Sequence, residues 1–128
     1  MEFQVKLFTW QDIGNHLIIL ARGTMDGWAF TRLFGQIRAE TQNLRECKVL
    51  VDLGDGTCKI DGSEIETFVA GLPLDDWPES NKIAFISAPE ISNYHRLYLL
   101  RTALAGRGLV VGVFRDSKVA IDWLAGLI

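Results

Sequence analysis

The chain has 128 residues, of which 48% are hydrophobic and 23% charged, and its formal net charge is −3. That length suits one domain, and a composition this apolar supplies a core and excludes disorder. The acidic balance, with Lys and Arg scattered along the chain, argues against a nucleic-acid partner, because phosphate binding needs a basic patch.

Cys47 and Cys58 are too few for a disulfide scaffold, and their spacing matches no zinc pattern. Two reduced thiols suit a reducing cytosol, so a cytoplasmic location is expected. Met1-Glu2 leads directly into a polar–apolar alternation, so no secretory leader is expected. The longest apolar run, Leu17 to Ala21, is far short of the roughly 20 residues that span a bilayer, so no membrane insertion is expected.

Phe3, Val5 and Leu7 alternate with Gln4, Lys6 and Phe8, a period of two that predicts a strand. The turn-rich stretch 11–15 separates it from a second strand, His16 to Ala21. So short a connection forces an antiparallel hairpin. Thr24 is the predicted N-cap of a helix from about Met25 to Gln42, with Phe30, Leu33, Phe34 and Ile37 on one face. Cys47 leads into Val49-Leu50-Val51, ending at Asp52-Leu53. Its β-branched, non-alternating character predicts a buried parallel strand. Cys58 falls in the following loop.

Asp61 is the predicted cap of a short helix carrying Ile65, Phe68, Val69 and Leu72. The stretch from Pro73 to Asn81, with its prolines, acids and Trp77, is a loop. Lys82 to Ser87 is another buried strand. Pro89 suits the first turn of a helix that runs to about Ala105 and stops at Gly106 and Gly108. Leu109 to Phe114 is the last strand. Asp116 or Ser117 then caps a final helix anchored by Val119, Trp123, Leu124 and Leu127.

The predicted fold is α/β, in the order β-β-α-β-α-β-α-β-α, as a single domain over residues 1–128. A mainly parallel five-stranded sheet carries four helices, and the N-terminal hairpin supplies one antiparallel edge strand.

Three segments carry a resemblance to a known family. They are Lys48-Val49-Leu50-Val51-Asp52-Leu53 with the helix start Ile60-Asp61-Gly62-Ser63; Lys82 to Pro89; and Val113-Phe114-Arg115-Asp116 followed by Val119 to Leu124. Together they resemble the STAS domain of anti-sigma-factor antagonists and sulfate-transporter tails, a SpoIIAA-like fold. The closing segment is similar to that of the SEC14-like subfamily found in bacteria. The resemblance implies a regulatory module acting through protein–protein contacts, with helix faces beside Asp61–Ser63 as the docking region. SEC14-like relatives imply a hydrophobic cavity between helices and sheet. In the antagonist branch the residue after the aspartate is a phosphorylated serine. Here that position is Gly62, Ser63 is one step late, and Glu64 follows where a small residue is usual. Ser63 is an acceptor only if the register shifts, and the plain reading has Asp61 and Ser63 satisfying amides at a helix start.

Asp52, Asp55 and Asp61 lie at or beyond the carboxyl end of a central strand, where ligands bind in open α/β sheets. Carboxylates there can hold Mg²⁺ or act as nucleophile and base; the plain reading is strand ends, turns and caps. No Gly-rich phosphate cradle or EF-hand spacing accompanies them, so no metal and no cofactor is expected. His16 and His95 have no nucleophile-elbow partner and read as surface or capping residues.

The third helix is apolar on more than one side, through Ile91, Tyr94, Leu97, Tyr98, Leu99, Leu100, Ala103 and Leu104, and needs core packing, a partner or a ligand to cover it. Arg96, Arg101 and Arg107 would leave a basic rim. Trp28 sits opposite the core stripe of the first helix, a placement enriched at interfaces. Trp77 is either a contact residue or a plug on the core. The aromatic set Phe30, Phe34, Phe68, Tyr94 and Tyr98 is what a small apolar ligand would use. The expectation is a non-enzymatic binding module for a regulatory protein or a second copy of itself, at Asp61, Gly62, Ser63, Trp28, Tyr94 and Tyr98. The alternatives are a lipid or other small apolar ligand, then a cryptic Asp-dependent metal enzyme.

Overall fold

The computed structural model describes residues 2–10, 14–41, 47–54, 56–74, 77, 82–87 and 90–128, with side chains from His16 onward except Ile91. Strands β1 (Glu2–Trp10) and β2 (Gly14–Arg22) pair antiparallel, from Glu2 opposite Arg22 to Trp10 opposite Gly14. β2 then pairs in parallel with β4 (Lys48–Asp52), placing Leu17 opposite Val49. β4 pairs in parallel with β6 (Lys82–Ile86), and β6 with β7 (Val110–Phe114). The five-stranded order is β1-β2-β4-β6-β7, the mainly parallel α/β sheet with one antiparallel edge strand.

Successive side chains of a strand point to opposite faces, and here both faces are covered. Val49, Val51, Ile83, Phe85, Val111 and Val113 belong to the larger core. Helices α1 (Gly27–Thr41), α2 (Gly62–Ala70) and α3 (Ile91–Gly106) pack on that side. Leu50, Ala84 and Ile86 face the other way and meet Ala120 and Leu124 of α4 (Ser117–Leu124). Burial on both faces explains why these strands read as continuous apolar runs.

Four local expectations are corrected. Thr24 is not a cap: it lies in β3 (Thr24–Met25), which pairs in parallel with β5 (Thr57–Cys58) in a second, two-stranded sheet. Met25, buried at 1% exposure, is a strand residue, and α1 starts two residues later. Asp26 caps it, Ala29 N donating to Asp26 Oδ1 at 2.9 Å. Cys58 is accordingly a strand residue, with its amide donating to Oδ1 of the buried Asn93 at 3.0 Å. His16 is not on the surface: it is 2% exposed within β2.

The remaining caps follow local chemistry. Asp116 caps α4, accepting from the amides of Lys118 at 2.7 Å and Val119 at 3.4 Å. Gly108, at φ +89, takes the left-handed conformation that turns the chain from α3 into β7. The side chains of Phe3, Val5 and Leu7, the turn residues 11–13, Asp55, Pro89 and most of the loop after Leu74 lie outside the described residues. Among the described residues, no helix is long and apolar enough to cross a membrane.

Candidate functional site

The start of α2 is held by a reciprocal capping box. Asp61 Oδ1 accepts from Glu64 N at 2.8 Å, while Glu64 Oε1 accepts from Asp61 N at 3.5 Å. Ser63 Oγ also donates to Asp61 Oδ1, at 3.0 Å. The Glu64 amide, and then the Ser63 hydroxyl, hold the Asp61 carboxyl below the usual carboxylate range. Glu64 Oε2 reaches across to accept from Gly27 N at 3.1 Å, joining the starts of α1 and α2. A Cβ on Gly27 would lie 2.9 Å from that oxygen, so the Glu64 carboxylate would have to shift to admit one.

From this junction a groove runs between the two helices. Gly27, Thr31 and Gly35 recur at four-residue intervals on α1, as do Ser63, Thr67 and Gly71 on and just past α2. Four-residue spacing puts each set on one helix face. Small residues on both walls leave the aromatic floor open. Phe34 and Phe68 meet edge to face there, with ring centroids 5.3 Å apart. The groove has a shallow polar end of about 280 Å³, lined by Gly27, Ser63 and Glu64 besides shared residues. It deepens into an apolar cleft of about 360 Å³ closed by Leu72, Pro73, Leu74 and Trp77.

The closed end is anchored by two guanidiniums. Arg38 Nη1 donates to Pro73 O at 2.8 Å. Arg107, just past α3, donates to Val69 O, to Ala70 O at 3.4 Å and to Leu72 O at 3.1 Å. These carbonyls lie at and just past the end of α2, where Val69 O also accepts from Leu72 N at 3.3 Å, and a cation there also suits the helix dipole. Trp77 packs its ring on the core beside Phe34, with centroids 6.3 Å apart, and also lines the cleft. Its main-chain amide donates to Leu74 O at 3.0 Å. Its indole Nε1–H is buried and, among the described residues, has no acceptor.

The other sequence candidates disperse. Asp61, Gly62 and Ser63 stand at the polar end of the groove. Trp28 is 66% exposed on the first turn of α1, with the Arg32 guanidinium 4.8 Å from its ring centre. Tyr94 is half-buried under Arg115, whose guanidinium lies 4.6 Å from the ring centre. Tyr98 is 48% exposed beside Arg101. The three arginines along α3 each donate to main-chain carbonyls. Arg96 donates to Cys58 O at 2.8 Å, Arg101 to Val111 O at 3.0 Å, and Arg107 holds α2. Leu97, Leu100 and Leu104 of α3 are buried, while Tyr98 and Leu99 face outward and His95 is exposed.

Asp52 serves a turn, its Oδ1 accepting from Gly54 N at 2.8 Å. Among the described residues no three His, Cys, Asp or Glu side chains gather into a metal-binding group. Cys47 and Cys58 are buried and unbridged. Burial pushes the Cys47 thiol up to about 11 and also raises that of Cys58.

A cavity between helices and sheet is not where the open space lies. That region is filled by Phe30, Leu33, Ile37 and Phe85, all essentially inaccessible. The cleft sits instead on the outer side of the α1–α2 contact. Sequence reasoning named Phe34 and Phe68 but missed Thr31, Gly35, Arg38, Thr67 and Gly71. The one available signal was the four-residue spacing of small residues in both helices.

No family model matches the sequence, and no curated protein matches it. Among solved structures, the chain is similar to an uncharacterized protein of the DUF3478 family with a SpoIIAA-like fold, from Shewanella loihica PV-4. The two share 16% identity at a TM-score of 0.60, over 95% of this chain and 93% of that one. The fold is therefore SpoIIAA-like, as the STAS resemblance implied.

Proposed function

We propose that the protein is a non-catalytic binding module and that its α1–α2 cleft takes a small apolar molecule. The observation that carries this reading is the closed, aromatic-floored end of the groove between Phe34, Phe68 and Trp77. Binding pockets of this kind are concave and mostly apolar, and typically measure about 300–1,000 Å³. At about 360 Å³ the cleft suits a compact ring system rather than a long-chain lipid. The non-catalytic part of the reading is supported by the use of Asp52 and Asp61 as a turn and a cap.

The test uses N-phenyl-1-naphthylamine, a neutral probe whose emission rises in apolar surroundings. Saturable enhancement at one site, lost in Gly35→Trp, is the expected result. No enhancement, or enhancement unchanged by Gly35→Trp, would overturn the reading.

A second reading, contact with a regulatory protein or a second copy, rests on exposed Trp28, Tyr98 and Leu99. They are spread over two helices, whereas stable interfaces bury about 800 Å² per partner, and singly exposed apolar residues are ordinary. Light scattering across a concentration series separates the readings. A mass that rises with concentration in the wild type, and not in Leu99→Lys, would favour self-association.

A further inference from the structure

We infer that Arg101 latches the β7 edge of the sheet against a further strand, and that without the latch a second copy of this chain adds to that edge through its own β7. No residue of this edge lines the α1–α2 cleft. β7 is the last strand in the order β1-β2-β4-β6-β7, so one side of it faces β6 and the other carries no strand among the described residues. Phe114 O accepts from Ser87 N at 2.8 Å, which turns the main-chain groups of Phe114 toward β6. Successive residues of a strand present these groups to opposite sides. Val110, Gly112 and Phe114 therefore bond β6, while Val111 and Val113 point their N–H and C=O groups outward.

An outward row of this kind is a template for strand addition, and Val110-Val111-Gly112-Val113-Phe114 has no charge and no proline to deter it. An antiparallel second β7 centred on Gly112 would set Val111 opposite Val113 of the second copy, each such pair exchanging both hydrogen bonds. Glycine would face glycine at the two-fold axis, so no side chains collide there. The deterrent comes from outside the strand. Arg101 of α3 donates from Nε to Val111 O at 3.0 Å and so occupies one of the outward acceptors. Tyr98, three residues earlier on the same helix face, seats the guanidinium, whose centre lies 5.2 Å from the ring centre. That seat accounts for a tyrosine left 48% exposed. Two copies joined at β7 would have to displace both guanidiniums or crowd them along one seam.

The experiment follows mass by light scattering across a concentration series. It compares the wild type with Arg101→Met, which keeps an unbranched stem and deletes the donor and the charge. The wild type is expected to keep the mass of one chain, and Arg101→Met to rise to twice that mass. Tyr98→Ala is the second variant. It alters an exposed ring and removes apolar surface rather than adding it, so dimers formed by it do not come from a new apolar patch. It is expected to dimerise at higher concentrations than Arg101→Met. Amide hydrogen exchange locates the contact. The Val113 N–H, directed out of the sheet, is expected to exchange about tenfold more slowly or slower still in the Arg101→Met dimer than in the wild type.

A folded Arg101→Met that keeps the mass of one chain would overturn the inference. So would a dimer whose Val113 amide exchanges no more slowly than in the wild type, or a wild type that dimerises as readily as the variants. Should Arg101→Met not fold, Tyr98→Ala alone decides: dimers protected at Val113 support the latch, and a single-chain mass contradicts it. None of these outcomes bears on the α1–α2 cleft.

Discussion

Replacing Gly35 with alanine is expected to make the protein more stable. Gly35 lies in the interior of α1, on the wall of the cleft. A Cβ built there meets no atom within 4 Å, so no clash offsets the gain in helix propensity. Glycine in a helix interior costs about 1 kcal/mol relative to alanine, and that is the expected gain. In a chain of this length it corresponds to a rise of roughly 2–6 °C in Tm. Urea unfolding reads it as a higher midpoint with an unchanged slope. An unchanged or lower midpoint would mean that the wall at Gly35 is packed, and the open cleft would be refuted. A helix that keeps this glycine forgoes stability and keeps the groove wide. The same open space is why Gly35→Trp is expected to fold and to obstruct ligand entry.

Four other outcomes follow from the same geometry. Gly112→Ala places a Cβ 2.6 Å from Phe114 Cε2 and 3.3 Å from Trp123 Cη2; chemical denaturation is expected to show a loss of about 1–3 kcal/mol from overpacking between β7 and α4. Arg107→Ala removes the donor to Val69, Ala70 and Leu72 carbonyls and is expected to cost about 1–2 kcal/mol in the same assay. Arg107→Lys should recover only part of that, since an ammonium cannot reproduce the planar fork; full recovery would contradict the multiple-carbonyl role. Ellman's reagent at pH 8 is expected to leave Cys47 and Cys58 unreacted in the native protein and to titrate both in guanidinium, because both are buried with raised thiol pKa values. The folded Asp61 carboxyl titrates below its unfolded value of about 4. Its stabilising contribution is therefore fully present above that value and is lost as pH falls through the lower, folded one. The difference in urea midpoint between wild type and Asp61→Asn should be constant above about pH 5 and shrink below pH 4; a difference that grows on acidification would contradict the cap.

The central sheet was legible because β4 and β6 are buried on both faces, which turns strand alternation into unbroken apolar runs. That same property hid which helix covers which face. Leu50, Ala84 and Ile86 look no different in sequence from Val49, Ile83 and Phe85, yet they meet α4 rather than the other three helices. β3 and β5 are two residues each, too short to show any period. Thr24 therefore read as a cap when it is a strand residue, and Asp26 was passed over.

The helix start at Asp61 was legible because capping chemistry is local. The cleft was not, because it depends on how α1 lies against α2 and on where the chain goes after Leu72. Nothing in the sequence says that Gly35 and Gly71 line the same cleft. The arginines of α3 show the same limit. Charge is visible in a sequence, but the carbonyl that Arg96 binds lies 38 residues away, and that partner is not.

The most direct test of the account is an amide chemical-shift map of ¹⁵N-labelled protein titrated with N-phenyl-1-naphthylamine. The account expects the largest shifts at Gly35, Thr67, Gly71 and Leu72, all saturating together. Shifts centred on Tyr98 and Leu99 of α3, or no saturable shift at all, would contradict it.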